Sequence, residues 1–120
     1  MNSMQIEAVA PACDSATITA LREEGDGLLA ELIDIFTVEA PRQMEQLERA
    51  LAQRESADAS RIAHTLKGTA GVFGAVMMES LAAEIEQAAR RASFAAAVAG
   101  CPPLRAEIDR VMATLAGWRL

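Results

Sequence analysis

Helical spacing of the apolar residues, an abundance of alanine and the absence of any period-two pattern predict an all-α fold. Four long amphipathic segments with short connections give it the form of an antiparallel four-helix bundle, with one or two short accessory helices at the N-terminal end. Hydrophobic residues make up 52% of the chain but aromatics only 3%, with no tyrosine and one tryptophan, so the core must be built from Leu, Ile, Val, Met and Ala. Small, helix-favouring residues suit close-packed helices. At 120 residues, with no internal repeat, one domain is expected.

Residues 1–14 have little periodicity and contain Pro11, so they read as a flexible tail or linker, leaving residues 15–120 as the helical domain. Ser15 to Glu24 forms a short accessory helix with Ile18 and Leu21 as its apolar contacts and Gly25 past its end. Asp26 is placed to cap the next segment, where Leu28, Leu29, Leu32, Ile33 and Phe36 follow helical spacing. Pro41 interrupts that pattern, as the first turn of a new helix or a kink in a long one, before Met44, Leu47 and Leu51 resume it. Ser56 or Asp58 caps a helix running to about Phe73, with Gly74 marking its end or a tight crossing. Val76 to Ala92 carries Met78, Leu81, Ile85 and Ala89 on one face. Ser93 restarts a short helix through Val98, and Cys101-Pro102-Pro103 breaks it. Leu104, Ile108, Val111, Met112 and Leu115 form the last helix. The methionines Met44, Met77, Met78 and Met112 read as core or flank filling.

The totals exclude several functions. A formal net charge of −6, with Lys and Arg scattered, argues against nucleic-acid binding through a basic patch. There is no apolar stretch of eighteen residues, the length a membrane-spanning helix needs. The first fourteen residues lack the basic region and long apolar core of a signal peptide. Two cysteines, Cys13 and Cys101, make no disulfide framework and read as reduced thiols of a cytoplasmic domain.

The run Ala63-His64-Thr65-Leu66-Lys67-Gly68-Thr69-Ala70-Gly71 holds the one histidine. On a helix, Ile62, Leu66, Thr69, Ala70 and Phe73 form one stripe, while His64, Lys67, Gly68 and Gly71 form another on the opposite side. A histidine facing water, beside a lysine and almost no other side chains, has the character of a docking site. Two glycines inside a helix together cost about 1–2 kcal/mol relative to alanine. A sequence selected for stability alone would have alanine there, as this one does nearly everywhere else. Uncharged imidazole is a good nucleophile near neutral pH. Phosphoryl transfer to it needs in-line access and charge neutralisation more than covalent machinery. Lys67 supplies charge, and Gly68 and Gly71, with Ala57 and Ser60 on the preceding turns, keep the approach open.

His64-Thr65-Leu66-Lys67-Gly68, with Gly74 six residues on, resembles the signature of the histidine phosphotransfer (HPt) domain, and the resemblance covers roughly residues 14 to 116. Leu32-Ile33-Asp34-Ile35-Phe36 with Glu39-Ala40-Pro41 resembles the family's first bundle helix, and Leu81 through Arg90 the helix after the histidine. The resemblance implies that His64 accepts a phosphoryl group from a receiver-domain aspartate and relays it to another receiver. Lys67 would be the phosphate-facing lysine, and Gly68 would clear the receiver's path, with Ala57, Ser60, Arg61 and Gly71 on the same docking face. Gly74 would allow close helix approach, and Pro41 would be structural. Glu86 falls where the family places a glutamine or glutamate that takes a hydrogen bond from Nδ1–H, leaving Nε2 free. Mg²⁺ in such transfers belongs to the receiver, so no cofactor is expected here. A monomer with a free His64 face is expected. The irregular Cys101-Pro102-Pro103 run departs from the family's continuous last helix.

The same residues admit other readings. Arg90 lies four residues after Glu86, so a plain i, i+4 ion pair on a solvated face also explains Glu86. A Cys–His nucleophilic pair using Cys13 or Cys101 lacks a recognisable elbow. A metal site lacks a second histidine. A non-catalytic adaptor bundle would need neither His64 nor Lys67. The chain also fits the terminal domain of a larger hybrid sensor kinase, as the cytoplasmic part of a membrane-bound protein; it has no glycine-rich nucleotide loop for ATP chemistry of its own.

Overall fold

The computed structural model describes residues 10–119, and among them five helices and no strand. They are α1 (Ser15–Glu23), α2 (Leu28–Ala52), α3 (Ser56–Val72), α4 (Val76–Arg90) and α5 (Phe94–Trp118). Helices α2 to α5 form the bundle: α2 packs on α3, α3 on α4, α4 on α5, and α5 closes the ring against α2. The expected bundle is therefore present, with α1 as its accessory helix, packed on α2. The core stacks Phe36, Met44, Leu47 and Leu51 of α2 against Leu66 of α3, Met78 and Ile85 of α4, and Leu104, Val111 and Leu115 of α5. Phe36 meets Phe73 edge-on, ring centroids 5.6 Å apart and planes at 82°. Ala40, Ala59, Ala63, Ala70, Ala82, Ala89 and Ala97 are fully buried, which is how a core so poor in aromatics brings its helices close.

The turns between bundle helices are three residues long, and all three use one device. After α3, Ala75 N–H bonds to Ala70 C=O and Gly74 N–H to Gly71 C=O, with Gly74 at φ +61. After α2, Glu55 N–H reaches Ala50 C=O with Arg54 at φ +58. After α4, Ser93 N–H reaches Ala88 C=O with Ala92 at φ +56. This is the Schellman closure of a helix end, which satisfies orphan carbonyls and reverses the chain. Only the first of the three uses glycine.

The structure differs from the sequence expectations at several points. The Cys101-Pro102-Pro103 run does not break the last helix: Pro102 and Pro103 lie inside the continuous α5, and no separate short helix runs from Ser93 to Val98. Proline removes the N–H that would bond four residues back. The carbonyls left over belong to Val98 and Ala99, both exposed, so water can meet them. Pro41 likewise sits within the unbroken α2, on the kink side of the two alternatives only in the sense that the helix does not restart. The cap of α2 is Gly27 in a left-handed conformation, not Asp26, which itself has φ +58 within a turn of positive-φ residues. Neither Ser56 nor Asp58 caps α3: its cap residue is Glu55, without a side-chain bond, and Ser56 Oγ–H instead donates to Ala89 C=O of α4.

The flexible tail expected over residues 1–14 is not found over residues 10–14. Residues 1–9 lie outside the described residues. Ala12 and Cys13 are buried in the core, Asp14 N–H bonds Phe73 C=O, and Arg110 Nη1 donates to Ala10 C=O at 2.9 Å. Asp14 also caps α1, its Oδ2 accepting from Thr17 N–H at 3.0 Å. Of the methionines, Met44 and Met78 are core, Met112 packs against it, and Met77 is exposed. No described helix is long and apolar enough to cross a membrane.

Candidate functional site

His64 stands mid-way along α3 on the face opposite the core. Its neighbours Ile62, Ala63 and Leu66 are buried while its own side chain is 65% exposed. The predicted stripe is real: Gly68 and Gly71 are exposed, and a Cβ built on either would meet nothing within 4 Å. The glycines therefore answer no packing demand among the described residues.

The imidazole is not free to spin. Its Nδ1 lies 3.0 Å from Oε2 of Glu86 on α4. Glu86 is buried, its side chain only 4% exposed, and three groups share its carboxylate. Lys67 Nζ sits 3.0 Å from Oε1, and Arg90 Nη2 donates to Oε2 at 3.0 Å. Both readings of Glu86 hold together: it partners the imidazole and it forms the i, i+4 ion pair with Arg90. The solvated face is the part that fails, because α3 covers the carboxylate. Burial alone would push the Glu86 carboxyl up, but the hydrogen bonds from Lys67 and His64, with their charges, outweigh it and hold the carboxyl below its ordinary value. An ionised carboxylate only accepts hydrogen bonds. In the neutral form of the ring, Nδ1 then carries the proton toward Glu86 and the lone pair is on Nε2.

Toward the N-terminal end of α3, the surface beside His64 opens into a groove lined by Ser60, Arg61, Glu86 and Arg90, with Ser56 and Ala57 at its far end. The predicted docking residues Ala57, Ser60 and Arg61 thus lie together with the histidine, while Gly68 and Gly71 continue the open face toward the other end of α3. Arg61 is exposed, its Nη2 3.6 Å from Asp58 Oδ1. Lys67 is two-thirds covered and engaged with Glu86, not standing free beside the imidazole. Gly74 is where a close approach occurs, but not between bundle helices: a Cβ there would lie 2.6 Å from Asp14 Cβ and 3.1 Å from Thr17 Oγ1. Sequence reasoning gave Arg90 no place at the site beyond its ion pair. Its spacing from Glu86 was the available signal, and it is informative only once Glu86 is known to face His64.

The cysteines take no part. Cys13 and Cys101 are both buried, and burial pushes each thiol up to about 11, so neither supplies a thiolate near neutral pH.

A family model described as the Hpt domain matches residues 31–115, which spans α2 to α5 and all the residues around His64. The chain belongs to the Hpt-domain family. The crystal structure of histidine-containing phosphotransfer protein B (HptB) from Pseudomonas aeruginosa PAO1 superposes on this Hpt domain with a TM-score of 0.86 at 25% identity, covering 92% of this chain and 96% of that one. No curated protein matches the chain. Hpt domains are phosphotransfer modules of two-component signalling rather than kinases with an ATP site of their own, and histidine phosphotransfer is accordingly the role of this Hpt domain.

Proposed function

We propose that His64 accepts a phosphoryl group from the aspartyl phosphate of one receiver domain and passes it to the aspartate of another. The observation that carries this reading is the His64 Nδ1–Glu86 contact at 3.0 Å on an otherwise exposed imidazole. It supports an Nε2 lone pair directed away from the protein. In the forward step that lone pair forms the N–P bond as the P–O bond to the receiver's aspartate breaks, its electron pair leaving on the carboxylate. The Nδ1 proton stays on the ring, held by Glu86. The return step is the same in reverse on the second receiver. Charge on the phosphoryl oxygens needs neutralising during transfer. Lys67 is one turn from the imidazole, and its ammonium, with one donor on Glu86 Oε1, keeps others for those oxygens. Mg²⁺ is proposed to enter with the receiver, leaving the Hpt domain without a cofactor. The exposed faces at Ala57, Arg61, Gly68 and Gly71 are proposed as receiver contacts. The domain is proposed to work in the cytoplasm as a monomer, because the bundle closes its own core; sedimentation at tens of micromolar should give the monomer mass, and a dimer burying His64 would favour a plain adaptor.

The test is incubation with a radiolabelled, phosphorylated receiver domain. Label on the wild type should be acid-labile and base-stable, as a P–N bond requires. His64→Gln should abolish it while leaving the helical CD signal and melting temperature nearly unchanged, since the imidazole is mostly outside the fold. Residual acid-labile label on that variant would overturn the assignment.

A further inference from the structure

We propose that residues 10–14 form a clasp that opens and closes on the bundle without unfolding it, tying the chain that precedes residue 10 to the far end of the His64 helix. The clasp does not depend on the chemistry at His64.

Four observations carry it. The segment is pinned at its two ends. Arg110 Nη1 donates to Ala10 C=O at 2.9 Å, and Asp14 N–H donates at 3.1 Å to the C=O of Phe73, the residue that caps the C-terminal end of α3. Between the pins the buried side chains are just Ala12 and Cys13, both small, while Pro11 is exposed. Next, the ion pair that holds Ala10 is complete without the clasp. Glu107 is buried, and Arg110, three residues on, meets both its oxygens at 2.9 Å. Both partners belong to α5, so opening the clasp leaves no buried charge unpaired, the cost that would otherwise lock the segment shut. Cys13 lies beside this pair: burial, and then the Glu107 carboxylate, push its thiol up to about 11, against the pull of Arg110.

Third, Gly74 is fitted to the clasp and not to its own turn. The equivalent turns after α2 and α4 take the same left-handed conformation with Arg54 and Ala92. What calls for glycine at 74 is Asp14, whose Cβ would be 2.6 Å from a Cβ placed there. Finally, the clasp buries little beside the bundle, where Phe36, Met44, Leu66, Met78 and Ile85 interlock. Segments with few buried contacts and few hydrogen bonds open at lower free energy than the structure they rest on. The hinge is Asp14, which stays behind as the cap of α1, and α1 keeps Ile18 in the core. Arg110 belongs to α5, which packs on α2 and α4, so the chain before residue 10 leaves on the side of the bundle away from α3 and His64. Five released residues span up to about 17 Å, the distance through which opening lets that exit point move.

The test is native-state hydrogen exchange of the full ¹⁵N-labelled chain, followed by NMR at several urea concentrations below the unfolding transition. The Asp14 amide reports the clasp, and the amides of Leu66 and Ile85 report the bundle. Asp14 should be protected, yet exchange on the order of a hundredfold faster than Leu66 and with little dependence on urea, because opening exposes little surface. Labelling of Cys13 by iodoacetamide, located by mass spectrometry of its tryptic peptide, should show the same weak urea dependence. Arg110→Lys keeps a cation beside Glu107 but not the planar fork that holds both carboxylate oxygens and Ala10 C=O together. It should speed Asp14 exchange and Cys13 labelling about tenfold, the size of one charge-assisted hydrogen bond, with Leu66 unchanged. Asp14 exchange at the rate and urea slope of Leu66 overturns the inference, since the segment then opens only with the whole bundle. An unprotected Asp14 amide in the wild type also overturns it, since no clasp is then closed in solution. So does an Arg110→Lys protein in which Asp14 exchange is unchanged, or in which Asp14 and Leu66 accelerate together.

Discussion

Replacing Gly68 with glutamine separates stability from function in opposite directions. Gly68 lies on the exposed face of α3, one turn beyond His64, with helical backbone and open space where a Cβ would go. Nothing among the described residues resists a side chain there. Helix propensity then favours the replacement by about 0.5–1 kcal/mol. For about 110 ordered residues, an unfolding entropy near 2.1 cal/mol/K per residue turns that gain into a rise of roughly 2–4 °C in Tm. The same side chain stands where a receiver's active-site loops must approach His64 Nε2 for in-line transfer. Displacing reacting atoms by about 1 Å can cost on the order of a hundredfold in rate. Gly68→Gln should therefore melt slightly higher and accept phosphoryl from a receiver far more slowly. Gly68→Ala should gain as much stability with a smaller loss of transfer. Thermal melts by CD and single-turnover transfer from a phosphorylated receiver measure the two effects. Normal transfer by Gly68→Gln refutes the open-approach argument, and a lower Tm refutes the claim that the glycine is not needed for packing.

Two further substitutions test the frame around the site. Gly74→Ala should destabilise by about 2–4 kcal/mol in urea unfolding, since it combines a left-handed backbone with a Cβ 2.6 Å from Asp14 Cβ; a loss under about 0.5 kcal/mol would mean the Asp14 segment moves aside freely. Glu86→Gln tests linkage: a carboxyl held below its ordinary value contributes stability above about pH 4.3, lost as pH falls through its folded value, so wild type should lose its margin over the variant on acidification from pH 5. Parallel stability curves for the two proteins over that range would show that Glu86 is not so coupled.

The bundle was legible because apolar spacing survives in every long helix, and Leu29, Ile33, Phe36, Met44, Leu47 and Leu51 all lie in the core as their period requires. The errors share a cause. Pro102 and Pro103 have the local chemistry of a helix stop, but what they remove is two hydrogen bonds on an exposed side, and packing of Cys101, Leu104 and Ile108 holds α5 together across them. Arg54 and Ala92 reverse the chain with positive φ, which no propensity argument assigns to them. Ala12 and Cys13 are too short a run to show any period, yet they fill space against the bundle. At the site, the His64, Lys67 and Gly68 spacing lies on one helix and is visible in one dimension. Glu86 and Arg90 come from α4, and their relation to His64 depends on how α3 and α4 pack, which local patterning does not encode.

The buried charge of Glu86 makes sense in terms of what the site must receive. A neutral amide could orient the imidazole equally well by accepting the Nδ1 hydrogen bond. It would not hold Lys67 and Arg90 in place, because two cations around a neutral group repel each other. With a carboxylate, one negative charge gathers two positive ones beside His64 before any phosphate arrives. The cluster is then left with a surplus of one positive charge at the point where a doubly charged phosphoryl group is to be bound. Electrostatic stabilisation is most effective when the charges are already in place and need no rearrangement at the moment of reaction. Burying the carboxylate is what makes it able to do this: at 4% exposure it is shielded from water on the side away from its cations, so its attraction for them is not screened as a surface pair would be. The cations, by contrast, keep part of their surface open, 33% for Lys67 and 66% for Arg90, and it is from that open side that the phosphoryl group must come.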